Sequence, residues 1–217
     1  MTLPRLYAVL DVDVAATHGW TVPDLARACF AGGARLLQVR GKRVPSGPLL
    51  DMVDAVMDAA PRDAIVIVND RPDVARLAQA AGVHVGQDDL SVADARAVVG
   101  PDAIVGVSTH TSAQIARALG QPLSYVAVGH VFPTATKDAD YDAVGLDLVR
   151  HAASVPEGGP GRAGGAIPVV AIGGITLERA PSVIAAGAAS VAVVSDLFAT
   201  GDPEARTRQF VEQLNRT

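Results

Sequence analysis

The stretch AIVIVNDRPDVARLAQAAGVHVG, residues 64–86, decides the fold. It opens on AIVIV (64–68), an apolar run rich in β-branched side chains, as a strand buried on both faces requires. DVARLAQAAG (73–82) follows with apolar residues at helical spacing, and Gly82 supplies a C-terminal stop. VHVG (83–86) then returns to strand character. Strand, helix and strand in so few residues is the unit that joins two parallel strands by a helical crossover.

The same alternation runs outward in both directions. Upstream lie LYAVL (6–10) with a helix over 22–31, then LLQV (36–39) with a helix over 49–60 stopped by Pro61. Downstream, Ser91 caps a helix starting at Val92. IVGVS (104–108) precedes a helix near 112–119 that ends at Gly120, and YVAVG (125–129) precedes one near 145–153. PVVAI (168–172) leads to a helix over 177–186 that reaches Gly187, and SVAVVS (190–195) to a closing helix over 203–215. Eight such units in 217 residues leave about 27 residues for each. The predicted architecture is α/β, a (β/α)8 TIM barrel forming one domain over residues 1–217. A doubly wound open sheet is the alternative, because strand count does not by itself prove closure.

Composition narrows the class. With 49% hydrophobic and 19% charged residues the chain buries a core and does not read as disordered. The single cysteine, Cys29, has no intramolecular partner and reads as a small buried apolar residue on the first helix. No apolar run approaches the roughly 18 to 20 residues of a membrane span, and LYAVL is too short for a signal-peptide core. The expectation is a soluble, cytoplasmic protein without a membrane or nucleic-acid partner; its net charge is −5 and no basic run offsets that. Homo-oligomerisation stays open. EGGPGRAGGA (157–166) contains the pattern GxGxxG, but it follows a helix and precedes a strand, the reverse of a dinucleotide site, and reads as a loop on the N-terminal face.

Barrel enzymes carry their chemistry at the C-terminal ends of the strands. Those ends read QVRGK (38–42), ND (69–70), GQDD (86–89), GVSTHT (106–111), GHVFPTATK (129–137), IGGI (172–175) and VVSD (193–196). Arg40, Lys42 and Lys137 offer cations to phosphate oxygens, with Thr134 and Thr136 adding hydroxyls beside Lys137. Arg43 reads as solvated charge, a reading also open to Arg40. Asp70 with Asp88 or Asp89 offers hard oxygens to Mg²⁺, although either later aspartate would equally suit a helix N-terminus. Gly173 and Gly174, with Val194 and Ser195, stand where barrels hold phosphate through backbone N–H groups.

In order and placement these pieces resemble the thiamine-phosphate synthase family, from the first strand to the last helix. The resemblance rests on QVRGK, Asn69-Asp70, GVHVGQDDL (82–90), GVSTHT, FPTATK (132–137) and IGGIT (172–176). It implies a barrel transferase that joins a hydroxymethylpyrimidine diphosphate to a thiazole phosphate or its carboxylate, releasing pyrophosphate by a dissociative, Mg²⁺-assisted route. By matching motif, Gln38, Arg40, Lys42 and Asn69 would hold the pyrimidine diphosphate, and Asp70 and Asp89 the Mg²⁺, leaving Asp88 on the surface or as a cap. Ser108, Thr134, Thr136 and Lys137 would line the junction between the substrates. Gly174, Val194 and Ser195 would take the thiazole phosphate. Arg40, Lys42, Ser108 and Lys137 are the implied catalytic set.

Two positions depart from the family pattern. Gly41 stands where glutamate is common, and His130 where proline is common. Gly129-His130-Val131-Phe132 instead resembles the related thiazole tautomerases, in which a histidine suits proton transfer. Against a tautomerase stand Gln38, Lys42 and Asp89, which that chemistry does not need. A non-catalytic phosphate-ligand sensor is the alternative from another class, and the paired aspartates argue against it. Of the other histidines, His84 reads as a packed, hydrogen-bonded strand residue and His110 as a candidate to approach the site. His18 and Trp20 fall in the first loop, as a cover for the mouth or as plain loop residues.

Overall fold

The computed structural model of the protein describes residues 2–134, 142–155 and 166–217. Eight parallel strands close on themselves in chain order, so the sheet is a barrel and the open doubly wound alternative is excluded. The strands are β1 (Leu6–Asp11), β2 (Leu36–Arg40), β3 (Ile65–Asn69), β4 (Gly82–Val85), β5 (Ile104–Thr109), β6 (Tyr125–Gly129), β7 (Val169–Ile172) and β8 (Ser190–Val193). Closure is made by β1 against β8, with Tyr7 beside Ala192 and Ala8 beside Val193.

Side chains on a strand alternate between two faces, and here both faces are buried. Leu6, Ala8 and Leu10 of β1, Leu37 and Val39 of β2, and Val66 and Val68 of β3 point outward into the layer shared with the helices. Tyr7, Val9, Leu36, Ile67, Tyr125, Ala127, Val170 and Ala192 fill the barrel interior. The outer layer consists of α1 (Val12–Thr17), α2 (Val22–Ala31), α3 (Ser46–Ala59), α4 (Pro72–Leu77), α5 (Val92–Val99), α6 (Ser112–Leu119), α7 (Gly145–Ser154), α8 (Ala180–Ala185) and α9 (Pro203–Leu214). Thr21, Ser91, Thr111 and Asp202 each cap the helix that follows, their side-chain oxygens accepting a backbone N–H of its first turn.

The structure corrects the sequence reading in three places. Residues 12–17 form α1, a helix set by Asp11, whose carboxylate accepts the N–H groups of Asp13 and Val14. His18 therefore closes a helix, and its ring stacks on Phe198 at 4.3 Å. α8 begins at Ala180 rather than at 177, after a turn. α4 stops at Leu77, and Gln79, at φ 52, makes the left-handed turn expected of Gly82. Gly82 instead opens β4, where a Cβ would stand 1.8 Å from the carbonyl oxygen of Ile104. The glycine lets two strands approach; it does not end a helix. Cys29 is buried in α2, and burial pushes its thiol up to about 12, so it remains protonated. The glycine-rich segment over 157–165 lies outside the described residues.

Gly82→Ala forces β4 away from β5 and is expected to cost about 3 kcal/mol or more. Urea unfolding followed by circular dichroism measures it, and a loss below about 1 kcal/mol would contradict the close-approach account.

Candidate active site

The alternation that packs the barrel also selects what faces its C-terminal mouth. Interior positions low on the strands are mostly apolar, but toward the C-terminal ends of β2 to β5 the interior carries Gln38, Asn69, His84 and Ser108. They line one cavity together with Arg40, Lys42, Asp70, Asp89 and Thr134, and with Gly174, Val194 and Ser195. In a closed eight-stranded barrel β3 and β4 stand across from β7 and β8. Asp70 and Asp89 thus face Gly174 and Ser195 across the mouth. Thr136 and Lys137 lie outside the described residues. Asp88 is exposed and away from the cavity, and Ser91 takes the capping role. His18 and Trp20 are not among the cavity residues, whereas His110 and His130 are.

Among the described residues, Arg40 and Lys42 at the mouth each rest on a carboxylate. Arg40 pairs with Asp11, whose side chain is 5% exposed. Asp11 lies at the end of β1 and was not singled out from the sequence; its place after an apolar strand was the available signal. One of its oxygens caps α1 and the other holds Arg40. Lys42 Nζ sits 3.2 Å from Asp70 Oδ2. Arg43 is exposed and pairs with Asp13 at 3.1 Å, as ordinary surface charge does.

The acidic wall is held by backbone. Asp70 turns off β3 at φ 60, and its N–H donates to the His84 carbonyl at 2.7 Å. Asp89 Oδ2 accepts the Gly86 N–H at 2.8 Å. Burial raises the pKa of Asp70, and Asp89 within hydrogen-bonding reach raises it further; Lys42 opposes both. Two carboxylates turned on each other are a donor set that fits a hard divalent cation, which takes one or two carboxylates and completes its shell with substrate oxygens and water. Among the described residues no three His, Cys, Asp or Glu side chains gather as a closed metal cage. Beside them, Asn69 is 8% exposed and its Nδ2 has no hydrogen-bond partner in the structure. A buried donor without an acceptor is costly, so this one points to a ligand.

The glycine wall is shaped by contact. Gly173 and Gly174 take φ 102 and φ 61. A Cβ on Gly173 would lie 2.1 Å from His130 Cβ, and one on Gly174 would lie 2.5 Å from the Pro133 carbonyl oxygen. The bare backbone of this loop therefore fits directly under the β6 loop, with Phe132 N donating to Gly173 O at 3.0 Å. From behind, Asp196 Oδ2 accepts the Leu177 N–H at 3.1 Å and the Arg206 guanidinium at 2.6 Å. That carboxylate joins the loops after β7 and β8 to α9.

Comparison with known proteins follows the same line. A thiamine-phosphate synthase of Koribacter versatilis (strain Ellin345) is 40% identical over 217 residues, covering 99% of this chain and 98% of that protein. One from Methanoculleus marisnigri (strain ATCC 35101 / DSM 1498 / JR1) is 39% identical over 96% of this chain and 94% of its own length. Among solved structures, a thiamine phosphate pyrophosphorylase from Pyrococcus furiosus superposes with a TM-score of 0.84 at 27% identity, covering 98% of this chain and 96% of that one. These relatives lend the tautomerase and sensor readings no support. Residues 6–197 match the thiamine monophosphate synthase family, and the chain belongs to it.

Proposed function

We propose that the protein joins a hydroxymethylpyrimidine diphosphate to a thiazole phosphate or its carboxylate, forming thiamine phosphate and releasing pyrophosphate. The observation that carries this reading is the layout of the mouth. Cations, paired carboxylates and the orphaned Asn69 donor occupy the β2 to β4 side, and the glycine wall stands opposite on β7 and β8. Such a cavity has room for two anionic groups at separate ends.

In this reading Gln38 and Asn69 hold the pyrimidine diphosphate, and Arg40 and Lys42 turn from their carboxylates to its phosphate oxygens. Asp70 and Asp89 would hold Mg²⁺, which when bound would supply charge neutralisation for the diphosphate. Negative charge grows on that group as its bond to the pyrimidine methylene breaks. Arg40 and Lys42, with Lys137 as the family motif implies, stabilise it there. The thiazole nitrogen then captures the pyrimidinylmethyl cation. Gly174, Val194 and Ser195 fix the thiazole phosphate through backbone groups, while Ser108 and Thr134 line the junction, with Thr136 as the family motif implies. The apolar part of the cavity lining, from Val9, Ala127, Val170 and Ala192, keeps water from competing for the cation. No side-chain nucleophile is needed.

Lys42→Ala is expected to lower pyrophosphate release by about 100- to 1,000-fold while leaving the unfolding midpoint nearly unchanged, because Lys42 is half exposed. Turnover near that of the unaltered protein would reject the assignment. Mixing both substrates with and without Mg²⁺ tests the reaction itself; release that needs both substrates and the metal is the expected result. A third measurement needs no turnover. Mg²⁺ alone should raise the thermal midpoint, by about 2 to 4 °C per kcal/mol of linked binding. Asp89→Asn should abolish that rise and also stabilise the metal-free protein, since it removes the like charge facing Asp70.

A further inference from the structure

Beneath the mouth, five polar side chains from five strands form one continuous file across the barrel. Gln38 Nε2 donates to the Tyr7 hydroxyl at 2.8 Å, and the Tyr7 and Tyr125 hydroxyls lie 3.0 Å apart. The Tyr125 hydroxyl is 2.9 Å from His84 Nδ1, and His84 Nε2 is 2.8 Å from Ser108 Oγ. Gln38, Tyr7, Tyr125 and His84 are all more than nine-tenths buried. The rings are packed as well as bonded. Tyr7 meets Tyr125 edge-on, and His84 stacks on Tyr125 at 5.6 Å. Gly106 makes the room, for a Cβ there would lie 2.0 Å from the Tyr125 ring.

Proton counting gives this file a direction. A tyrosine hydroxyl has one proton, and a neutral imidazole has one N–H. Because the Gln38 amide nitrogen donates to Tyr7, the Tyr7 proton goes to Tyr125, and the Tyr125 proton goes to His84 Nδ1. The imidazole proton then sits on Nε2 and goes to Ser108, which lines the cavity and keeps its own proton to donate elsewhere. At the other end the Gln38 amide oxygen is left to accept. Reversing any one bond requires reversing all of them, together with the Gln38 amide. Gln38 and Ser108 at the ends line the cavity, Tyr7 and His84 reach its floor, and Tyr125 between them is wholly buried.

We propose that Tyr7, Tyr125 and His84 are positioning residues that lock the hydrogen-bonding faces of Gln38 and Ser108 to each other. They make the cavity take a heteroaromatic ring that presents an acceptor to Ser108 and a donor to Gln38. This rests on the pyrimidine reading of the cavity, and an aminopyrimidine edge, with a ring nitrogen beside an amino group, has that pattern. The direction also settles a chemical ambiguity in the Ser108–His84 pair. An imidazole whose Nε2 carries the proton cannot take one from Ser108, so the serine acts as a donor to the ring and not as an activated nucleophile.

The test begins without substrate, by heteronuclear NMR of the histidine ring nitrogens at neutral pH, with His84 assigned from its loss in His84→Asn. The protein should show His84 neutral and protonated on Nε2. Tyr7→Phe and Gln38→Met break the file away from His84, and each should shift its averaged signals toward the Nδ1–H form. A wild-type His84 protonated on Nδ1, or signals unmoved in both variants, would overturn the proposal. The kinetic arm compares KM for the aminopyrimidine diphosphate with KM for its oxo counterpart, in which the amino donor becomes a carbonyl acceptor. Tyr7→Phe should narrow that discrimination by roughly tenfold, with KM for the thiazole phosphate unchanged. An equal loss for both pyrimidines together with a raised thiazole KM would show a merely structural role and overturn the proposal. If the unaltered protein releases no pyrophosphate at all, the synthase reading falls while the NMR arm still decides the file.

Discussion

The strict alternation of side chains along a closed parallel sheet governs the rest of this structure. With every strand buried on both faces, a residue has two destinations, the helix layer or the barrel interior, and moving one place along the chain exchanges them. Val39 and Val68 go to the helix layer, whereas their neighbours Gln38 and Asn69 turn inward at the mouth. The polar groups of the site are thus held by the same ladders that close the barrel. Their positions depend on register more than on any local turn.

Charge is stored under the same economy of space. In a chain of net charge −5, two cations at the mouth are kept in pairs, Arg40 with Asp11 and Lys42 with Asp70. An arriving anion therefore competes with a resident carboxylate, and the gain is the difference between two ion pairs. For Arg40, whose partner is almost wholly buried, releasing the pair would leave Asp11 with only its backbone N–H donors, which α1 continues to provide.

The fold was legible in the sequence because the strands are dense in β-branched residues and several helix ends carry a cap or glycine, as at Ser91 and Gly120. Where it was misread, a side-chain contact had taken over a backbone role. α1 exists because Asp11 caps it, although Val12 and Val14 are weak helix formers. Gly82 serves strand approach, a job invisible without the neighbouring strand. For the site, the strand ends revealed the residues that lie in runs, such as QVRGK and GQDD. The file through Tyr7, Tyr125 and His84 was not legible, because its members are up to 118 residues apart and meet only through the register of several strands. His84 read correctly as packed and hydrogen-bonded, but its partners could not be named.

The ion pair between Asp196 and Arg206 gives the last helix a reach beyond packing. Arg206 lies on α9, and Asp196 immediately follows Ser195 while also gripping the backbone of Leu177 beyond the double glycine. α9 is therefore joined to both loops by one carboxylate. The end of the chain farthest in sequence from the first strand is thus tied through a single side chain to the backbone on both sides of the glycine wall.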